Sequence, residues 1–158
     1  MNYVFDTSAT VVLIETCCLE EALRRLGQTT RLIAPKRVKA EYVNGERATC
    51  DLKTFERIFE TADVVVDSEL LPYFDFDAEC GEINVISYAL QNKESCCVID
   101  EGFGRRICAL HGLPLTGSIG IIKEMCQVGL ISKEERRSIR RRLRQSSFYI
   151  SKELLHEI

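Results

Sequence analysis

Residues 3–8 read YVFDTS, an apolar run that turns polar at Asp6. Tyrosine, valine and phenylalanine favour a strand, and Asp-Thr-Ser is typical of the residues that begin a helix. A second apolar run, CCVI at residues 96–99, ends on Asp100 in the same way. Because parallel strands of an α/β sheet direct their carboxyl ends towards the ligand crevice, Asp6 and Asp100 are expected to lie close together.

Two further acids accompany apolar helical residues. Glu41 lies on a predicted helix, and Glu82 opens the apolar helix that runs to Leu90. Carboxylates gathered at one place repel one another and lose solvation, so such a site needs a compensating charge. Mg²⁺ and Mn²⁺ bind carboxylate and water oxygens, and they activate water for attack on phosphorus without a covalent nucleophile. The four acids therefore predict metal-assisted hydrolysis of a phosphodiester.

The periodicity of apolar residues predicts strands that alternate with helices. The predicted strands are residues 2–6, 31–33, 63–66, 96–99 and 113–115. The predicted helices are residues 8–26 (as one broken or two short helices), 36–44, 51–61, 77–91, 102–111, 118–128 and 132–145. Such alternation implies a mainly parallel central sheet covered on both faces, a three-layer α/β/α fold. The length suits a single domain over residues 1–158.

Each acid also has a purely structural interpretation. Asp6 could simply cap the following helix, and Glu41 could be an ordinary solvated residue on a helix surface. Glu46 competes with Glu41, although it lies beyond the expected end of that helix. If Asp6 binds a metal, Thr7 or Ser8 would cap the helix or donate a hydrogen bond to a metal-bound carboxylate.

The acids around the later helices leave similar alternatives. Asp77, Glu79 and Glu82 all fall in the predicted first turn of one helix, where the helix dipole favours acids. Glu82 directly precedes the buried apolar stripe, so it is the one expected to point inward. Glu101 could contact a metal-bound water or cap the next helix. Arg105 could contact phosphate, but an ion pair with Glu101 is the preferred interpretation.

Serines are expected to cap two of the helices near the C-terminus. Ser118 precedes one apolar helix, and Ser132 precedes another in which Glu135 completes a capping box. Helix N-termini also bind anions, so Thr116 and Ser118 could have a second role near a scissile phosphate. Capping is the preferred interpretation of Ser118.

The composition limits the class of protein. The eight cysteines include the adjacent pairs Cys17-Cys18 and Cys96-Cys97 but no C-x-x-C, so neither zinc nor disulfides are expected. They are interpreted as reduced core residues, with Cys50 the most exposed. No apolar run approaches membrane-spanning length, and the N-terminus lacks the features of a signal peptide. The chain is therefore expected to be cytoplasmic.

A basic segment lies near the end of a chain whose net charge is −3. Residues 133–144 carry seven Lys and Arg against two Glu, on the helix predicted over 132–145. Like charges at helical spacing are unfavourable unless a partner relieves them. The helix is interpreted either as a solvated face or as a contact for RNA phosphate or for an acidic partner protein. The expected contact residues are Arg105, Arg137, Arg140, Arg141 and Arg144.

Six segments, in chain order, resemble the motifs of PIN domains, which are small metal-dependent nucleases. FDTS at residues 5–8 resembles the opening "DTS", and residues 38–41 resemble the helix that carries one Glu. The other segments resemble motifs of the toxin-like (VapC-like) branch: GEINVI at 81–86 its "GEAEAI", VIDE at 98–101 with Arg105 its "LLDDxxAR", residues 115–122 its "GTLGVL" and residues 129–131 its "KGLI". Glu101 departs from the usual second Asp, and residues 102–104 are unusually glycine-rich.

The resemblance implies a site in which Asp6, Glu82 and Asp100 hold Mg²⁺ or Mn²⁺ and Glu41 completes the acidic pocket. It also implies an RNA substrate, endoribonuclease activity, an antitoxin protein as partner and a homodimer. The residues expected to support the site are Thr7, Ser8, Glu101, Thr116 and Ser118. The rival interpretations are a receiver-like phosphoacceptor domain, which would need paired acids and a late Lys, and a catalytically silent PIN-like binding module.

Overall fold

The computed structural model describes residues 1–45, 48 and 50–158. In this part of the chain a five-stranded sheet lies at the centre, and each neighbouring pair of strands is parallel. The strands are β1 (Asn2–Phe5), β2 (Leu32–Pro35), β3 (Glu60–Ala62), β4 (Ser95–Val98) and β5 (Leu115–Thr116). Every residue of β2 and β4 is buried. Because successive side chains of a strand point to opposite faces, both faces are covered, and the fold is three-layer α/β/α as predicted.

Helices connect the strands and cover the sheet. They are α1 (Thr7–Val11), α2 (Glu20–Leu26), α3 (Lys36–Val43), α4 (Leu52–Ile58), α5 (Gly81–Gln91), α6 (Gly102–Leu110), α7 (Ser118–Gln127), α8 (Lys133–Gln145) and α9 (Lys152–His156). A π-helical turn at Val12–Thr16 continues α1, and a 3₁₀ helix occupies Ser68–Phe74. α5 packs across β1, β2 and β4, which brings its first turn close to the end of β1.

The strand order is β3-β2-β1-β4-β5, so the direction of the crossovers reverses between β1 and β4. In open α/β sheets such a reversal opens a crevice at the carboxyl ends of the two strands. Phe5 pairs with Val98 across this boundary, and the Asp6 backbone N–H donates to the Val98 carbonyl (3.2 Å). The two acids that follow β1 and β4 therefore lie on either side of the crevice, as expected.

The prediction of the third strand was wrong. β3 lies at the end of the helix predicted over 51–61, and residues 63–66 form no strand. α4 ends early because Phe59 is extended and its ring packs edge-on against Phe5, with 5.1 Å between centroids. β3 then pairs with β2 and extends the sheet. Tertiary packing thus overrides the helical spacing of the apolar residues in this segment.

Other boundaries also differ from the prediction. α5 begins at Gly81 rather than at residue 77, because Asp77 caps a preceding turn by accepting a hydrogen bond from the Glu79 backbone (3.0 Å). Asp77 and Glu79 therefore lie outside the helix, and Glu82 is the acid in its first turn. The predicted strand at 113–115 lies one to two residues later, as β5. The 3₁₀ helix and α9 were not predicted, whereas the broken N-terminal helix was.

All eight cysteines are free, and five of them are buried, in agreement with their interpretation as core residues. Cys50 was expected to be the most exposed, but it packs partly against the core. Cys18 is the exposed cysteine, and it lies in a left-handed turn (φ 55°) after the π-helical turn. In the described ranges, no helix has the length and apolarity needed to cross a membrane.

Candidate active site

Asp6 lies directly after β1 and begins α1. Its Oδ1 accepts a hydrogen bond from the Ala9 backbone (2.7 Å), so Asp6 is a helix cap. The residue is only 2% exposed, and the described residues donate no hydrogen bond to Oδ2. Burial raises the pKa of Asp6 well above its usual value, and the charges of Asp100, Glu82 and Glu101 raise it further. One buried carboxylate thus caps a helix and also faces other acids.

Asp100 lies two residues after β4 and binds the start of α7. Its Oδ1 accepts a hydrogen bond from the Ser118 backbone (2.8 Å), and its Oδ2 accepts one from the Ser118 hydroxyl. The prediction that Ser118 caps α7 is therefore wrong. Gly117 occupies the cap position without a side-chain bond, and Asp100 supplies the acceptor from another part of the chain. Burial raises the pKa of Asp100, although the Ser118 hydrogen bonds and the charge of Arg105 oppose the rise.

Glu41 is held at the site by two neighbours. The Thr7 hydroxyl donates to Glu41 Oε2 (2.6 Å), whereas the prediction for Thr7 was a helix cap or a bond to a metal-bound carboxylate. Arg37, one helical turn earlier on α3, places its Nε 3.5 Å from Glu41 Oε1. The side chain of Glu41 is 29% exposed, so the interpretation as a freely solvated residue is wrong. Sequence reasoning missed Arg37, although its i,i+4 spacing from Glu41 could have indicated the pair. Glu46, the alternative to Glu41 as the second acid of the site, lies outside the described residues.

Glu82 points inward from the first turn of α5, as predicted. Its Oε2 is buried and has no hydrogen-bond partner within the described part of the chain. This atom lies against α6, where a Cβ added to Gly104 would overlap it. Burial, followed by the charges of Glu101 and Glu41, raises the pKa of Glu82 to about 7. A buried acceptor without a donor is costly and indicates a missing partner.

Glu101 and Arg105 do not form the expected ion pair. Arg105 donates through Nη1 to the carbonyls of Ile99 (2.7 Å) and Thr116 (3.2 Å), and so bridges the ends of β4 and β5. Glu101 accepts a hydrogen bond from the Ser8 hydroxyl (3.1 Å), and its side chain makes no capping bond to α6. Glu101 thus occupies the cap position of α6 without a side-chain capping bond. The guanidinium of Arg105 faces Asp100 instead of Glu101.

The side chains of this region line adjoining cavities. A cavity of about 200 Å³ lies between the end of β1, α3 and α5. Four acids line it, namely Asp6, Glu41, Glu82 and Glu101. Asp100 lines two larger cavities next to it, of about 380 and 500 Å³. Thr7 and Ser8 line the small cavity and one of the large ones, and Thr116 lines the other. The structure thus brings all four predicted acids to one crevice but divides them between cavities.

The donor set of this crevice suits a hard divalent cation. Carboxylate oxygens are the ligands that Mg²⁺ and Mn²⁺ prefer. Burial, and to a lesser extent the charges of neighbouring acids, raises the pKa of Asp6, Glu82 and Asp100, and a bound cation would favour their charged forms. The unpartnered Glu82 Oε2 is the atom that a cation would satisfy. In the described ranges, however, no three His, Cys, Asp or Glu side chains form a group that could hold an ion.

At two positions of the site a carboxylate occupies the space that a side chain would need, and both residues are glycines. A Cβ added to Gly81 would lie 2.8 Å from Glu41 Oε2, and one added to Gly117 would lie 2.7 Å from Asp100 Oδ1. Both distances are too short for ordinary contact, so any larger side chain would displace the acid. Sequence reasoning did not assign these glycines a role, although both fall within the motifs that carry the family resemblance.

Some arginines of the basic helix α8 bind backbone carbonyls of the protein, and others are exposed to solvent. Arg140, predicted to contact a partner, instead donates to the carbonyl of Ile158 (2.7 Å). Three other predicted contact residues are exposed and make no ion pair within the described ranges, namely Arg137, Arg141 and Arg144. The capping box predicted at the start of this helix is present, with Ser132 and Glu135 bonded reciprocally.

The buried carboxylates lie at the switch point of an open parallel α/β sheet, which is where proteins of this fold class bind their ligands. A family model described as a PIN domain matches residues 2–158. The chain therefore belongs to the PIN-domain family, whose members are commonly nucleases. No match was found among curated proteins or among solved structures.

Proposed function

We propose that the chain is a metal-dependent endoribonuclease that hydrolyses RNA phosphodiester bonds with Mg²⁺ or Mn²⁺. The observation that carries this proposal is the gathering of acids at the switch point, where Asp6, Glu41 and Glu82 share one cavity and Asp100 lies beside it. Membership in a family of nucleases supports a phosphodiester as the substrate. The choice of RNA rests on the resemblance of the motifs to the toxin-like branch.

The acidic cluster would hold the ion directly or through water, and its members are Asp6, Glu82 and Asp100, with Glu41 adding charge. When bound, such an ion stabilises charge on the phosphate oxygens and lowers the pKa of water for hydrolysis. The chain's own residues orient the carboxylates before any ion arrives. Ser118 holds Asp100 through two hydrogen bonds, and Thr7 holds Glu41 through one. Carboxylates held in this way lose little freedom on binding a cation.

We also propose that the enzyme is the toxin of a toxin–antitoxin pair, acting in the cytoplasm as a homodimer. The support is the resemblance to the toxin-like branch together with the exposed arginines of α8, which suit RNA phosphate or an acidic antitoxin. A protein encoded by the neighbouring gene that copurifies with the chain and blocks cleavage is the expected antitoxin. Sedimentation of the purified chain tests the dimer.

Cleavage of a structured RNA with Mn²⁺, compared with the same reaction in EDTA, tests the proposed activity. Asp6→Asn, Glu82→Gln and Asp100→Asn are each expected to lose several kcal/mol of barrier lowering, roughly a hundredfold or more in rate. Because the three carboxylates act on one site, the losses should not add. A double variant should be little slower than either single variant.

Glu134→Gln is the matched control, because Glu134 is exposed in the first turn of α8 and away from the acidic cluster. It should cleave like the wild type. Cleavage by Asp6→Asn at the wild-type rate would assign the activity to another site or to a contaminant. A wild-type chain that binds RNA in Mn²⁺ but never cleaves it would favour the catalytically silent binding module.

A further inference from the structure

A short segment between α8 and α9 crosses the surface beside the acidic crevice, and both of its ends are anchored. Residues 147–150 form this segment. At one end the Ser146 hydroxyl donates to the Leu143 carbonyl (2.7 Å) and accepts a hydrogen bond from the Phe148 backbone (3.2 Å). At the other end Ser151 caps α9 by accepting a backbone hydrogen bond (3.2 Å). These local bonds fix the points at which the segment leaves α8 and enters α9.

Side chains alternate inward and outward along this segment. Phe148 and Ile150 are partly buried and pack against the hydrophobic core. Tyr149, between them, is 89% exposed, the highest value among the large apolar side chains in the described part of the chain. Because its neighbours are held down on both sides, the Tyr149 ring is held out in solvent. An aromatic ring presented in this way is suited to stacking on a planar ligand.

Tyr149 also stands at the boundary of the two large cavities. It lines both the cavity of about 380 Å³ and the cavity of about 500 Å³, and Asp100 is the acid that the two share. The first is also lined by Arg105 and by Lys123, which is paired with Glu157, and the second is also lined by Ser8 and Glu101. Pockets of roughly 300–1,000 Å³ hold small organic ligands, so each has room for about one nucleotide.

We infer that Tyr149 stacks on an unpaired base next to the scissile phosphate. This inference rests on the proposed function, which puts the scissile phosphate near Asp100. A nucleotide chain that continues on both sides of that phosphate would occupy the two cavities in turn, and the ring between them would meet a base. Bases in a duplex are already stacked on their neighbours, so only an unpaired base can offer its face to the ring.

Binding of a single-stranded oligoadenylate of about ten nucleotides, a length within the usual site sizes, tests the inference. One position carries a fluorescent adenine analogue whose emission falls on stacking, and EDTA prevents cleavage. Tyr149→Ala is expected to weaken binding roughly fivefold or more and to abolish the loss of emission. Tyr149→Phe should bind like the wild type, because the ring is kept. With cleavable RNA and Mn²⁺, Tyr149→Ala should raise KM more than it lowers kcat.

The matched control is Tyr73→Ala, because Tyr73 is another exposed tyrosine but lines neither cavity. It should leave binding unchanged, and a blunt duplex of the same length should bind wild type and Tyr149→Ala equally. Equal binding of the single strand by the wild type and Tyr149→Ala would overturn the inference. If the wild type still cleaved RNA in that case, the proposed function would stand. A wild-type chain that neither binds nor cleaves RNA would overturn both.

Discussion

Gly117 has no reactive group, yet it lies against the carboxylate of Asp100. Its backbone (φ −135°, ψ −174°) is extended and open to any residue type, so conformational freedom does not explain the glycine. The explanation is space, because Asp100 Oδ1 occupies the position next to a Cβ at residue 117. Asp100 can therefore reach the backbone and hydroxyl of Ser118 only while residue 117 has no side chain.

Gly117→Ala should lower RNA cleavage by roughly 10- to 100-fold, the usual effect of disturbing a residue that orients a metal ligand. The added methyl group would force Asp100 away from Ser118, whereas the backbone accepts alanine without strain. The measurement is cleavage rate in Mn²⁺, together with the melting temperature, which should fall only slightly.

Gly102→Ala is the control for this change. A Cβ at Gly102 would lie 3.5 Å from Arg106 Nη1, an ordinary contact with a flexible side chain. This variant should keep wild-type activity. Full activity of Gly117→Ala would show that the site tolerates a displaced Asp100, and the role assigned to Asp100 as a ligand would then be untenable.

The helix α8 is bound to the rest of the protein by some of its arginines. Arg136 donates to the Cys126 carbonyl (3.1 Å) at the end of α7, and Arg142 donates to the Cys17 carbonyl (3.1 Å) after the π-helical turn. These groups satisfy carbonyls at helix ends, where four acceptors lack partners within the helix. The basic character of α8 is thus partly structural, and the remaining exposed arginines are the ones free to contact a partner.

Arg137→Ala combined with Arg141→Ala should weaken RNA association and reduce its dependence on salt. For each phosphate that the variant no longer binds, the slope of log affinity against log salt should fall by roughly 0.7–0.9, as counterion release predicts. Cleavage in a single turnover at saturating RNA should change little, because neither residue lies in the acidic crevice. Fluorescence anisotropy across a salt series measures the effect.

Lys53→Ala combined with Arg57→Ala removes two exposed charges at the same i,i+4 spacing, but on α4, and serves as the comparison. That variant should bind RNA almost as the wild type does. Equal slopes for both double variants would return α8 to the interpretation of a solvated face.

The whole fold is organised so that acids distant in sequence meet. Asp6 and Asp100 follow neighbouring strands, while Glu41 and Glu82 come from α3 and α5, which pack against each other and against the sheet. Without a cation this arrangement costs stability at neutral pH. Charged carboxylates are buried near one another, and folding therefore favours their protonated forms.

The metal-free protein should become less stable as the pH rises from about 4.5 to about 7. The pKa of Glu82 is raised from 4.5 to about 7, and those of Asp6 and Asp100 are also raised. In this window the folded state binds more protons than the unfolded state, so the free energy of unfolding falls with rising pH. Because Glu82 is only half buried, its share is about 1–2 kcal/mol. Thermal melts in EDTA measure the trend.

Glu82→Gln is the control for this pH effect, since it removes the titrating group, and its stability should fall less across the same window. Mn²⁺ binds the deprotonated acids of the folded state, so it should raise the melting temperature more at pH 8 than at pH 5, and Asp100→Asn should remove most of the rise. A melting temperature that changes neither with pH nor on addition of Mn²⁺ would argue against a shared acidic site.

Local sequence determined the parts of this protein that depend on neighbouring residues. The alternation of strands and helices, the acids at the ends of β1 and β4, and the capping box of α8 were all predicted. Periodicity and caps act over a few residues, and the rule that ligands lie at the carboxyl edge of a parallel sheet needs only the strand ends. The family followed from the order of the motifs, which does not depend on any single side-chain contact.

The tertiary structure alone decided which of several chemically reasonable partners each side chain has. Asp100 and not Ser118 supplies the acceptor at the start of α7, and Arg105 binds two carbonyls instead of Glu101. Phe59 ends α4 although the spacing of the apolar residues favoured a longer helix. The sequence also did not predict that the exposed ring of Tyr149 lines a cavity together with Asp100. In each case the outcome depends on contacts between residues that are not neighbours in the chain, and local sequence patterns do not specify those contacts.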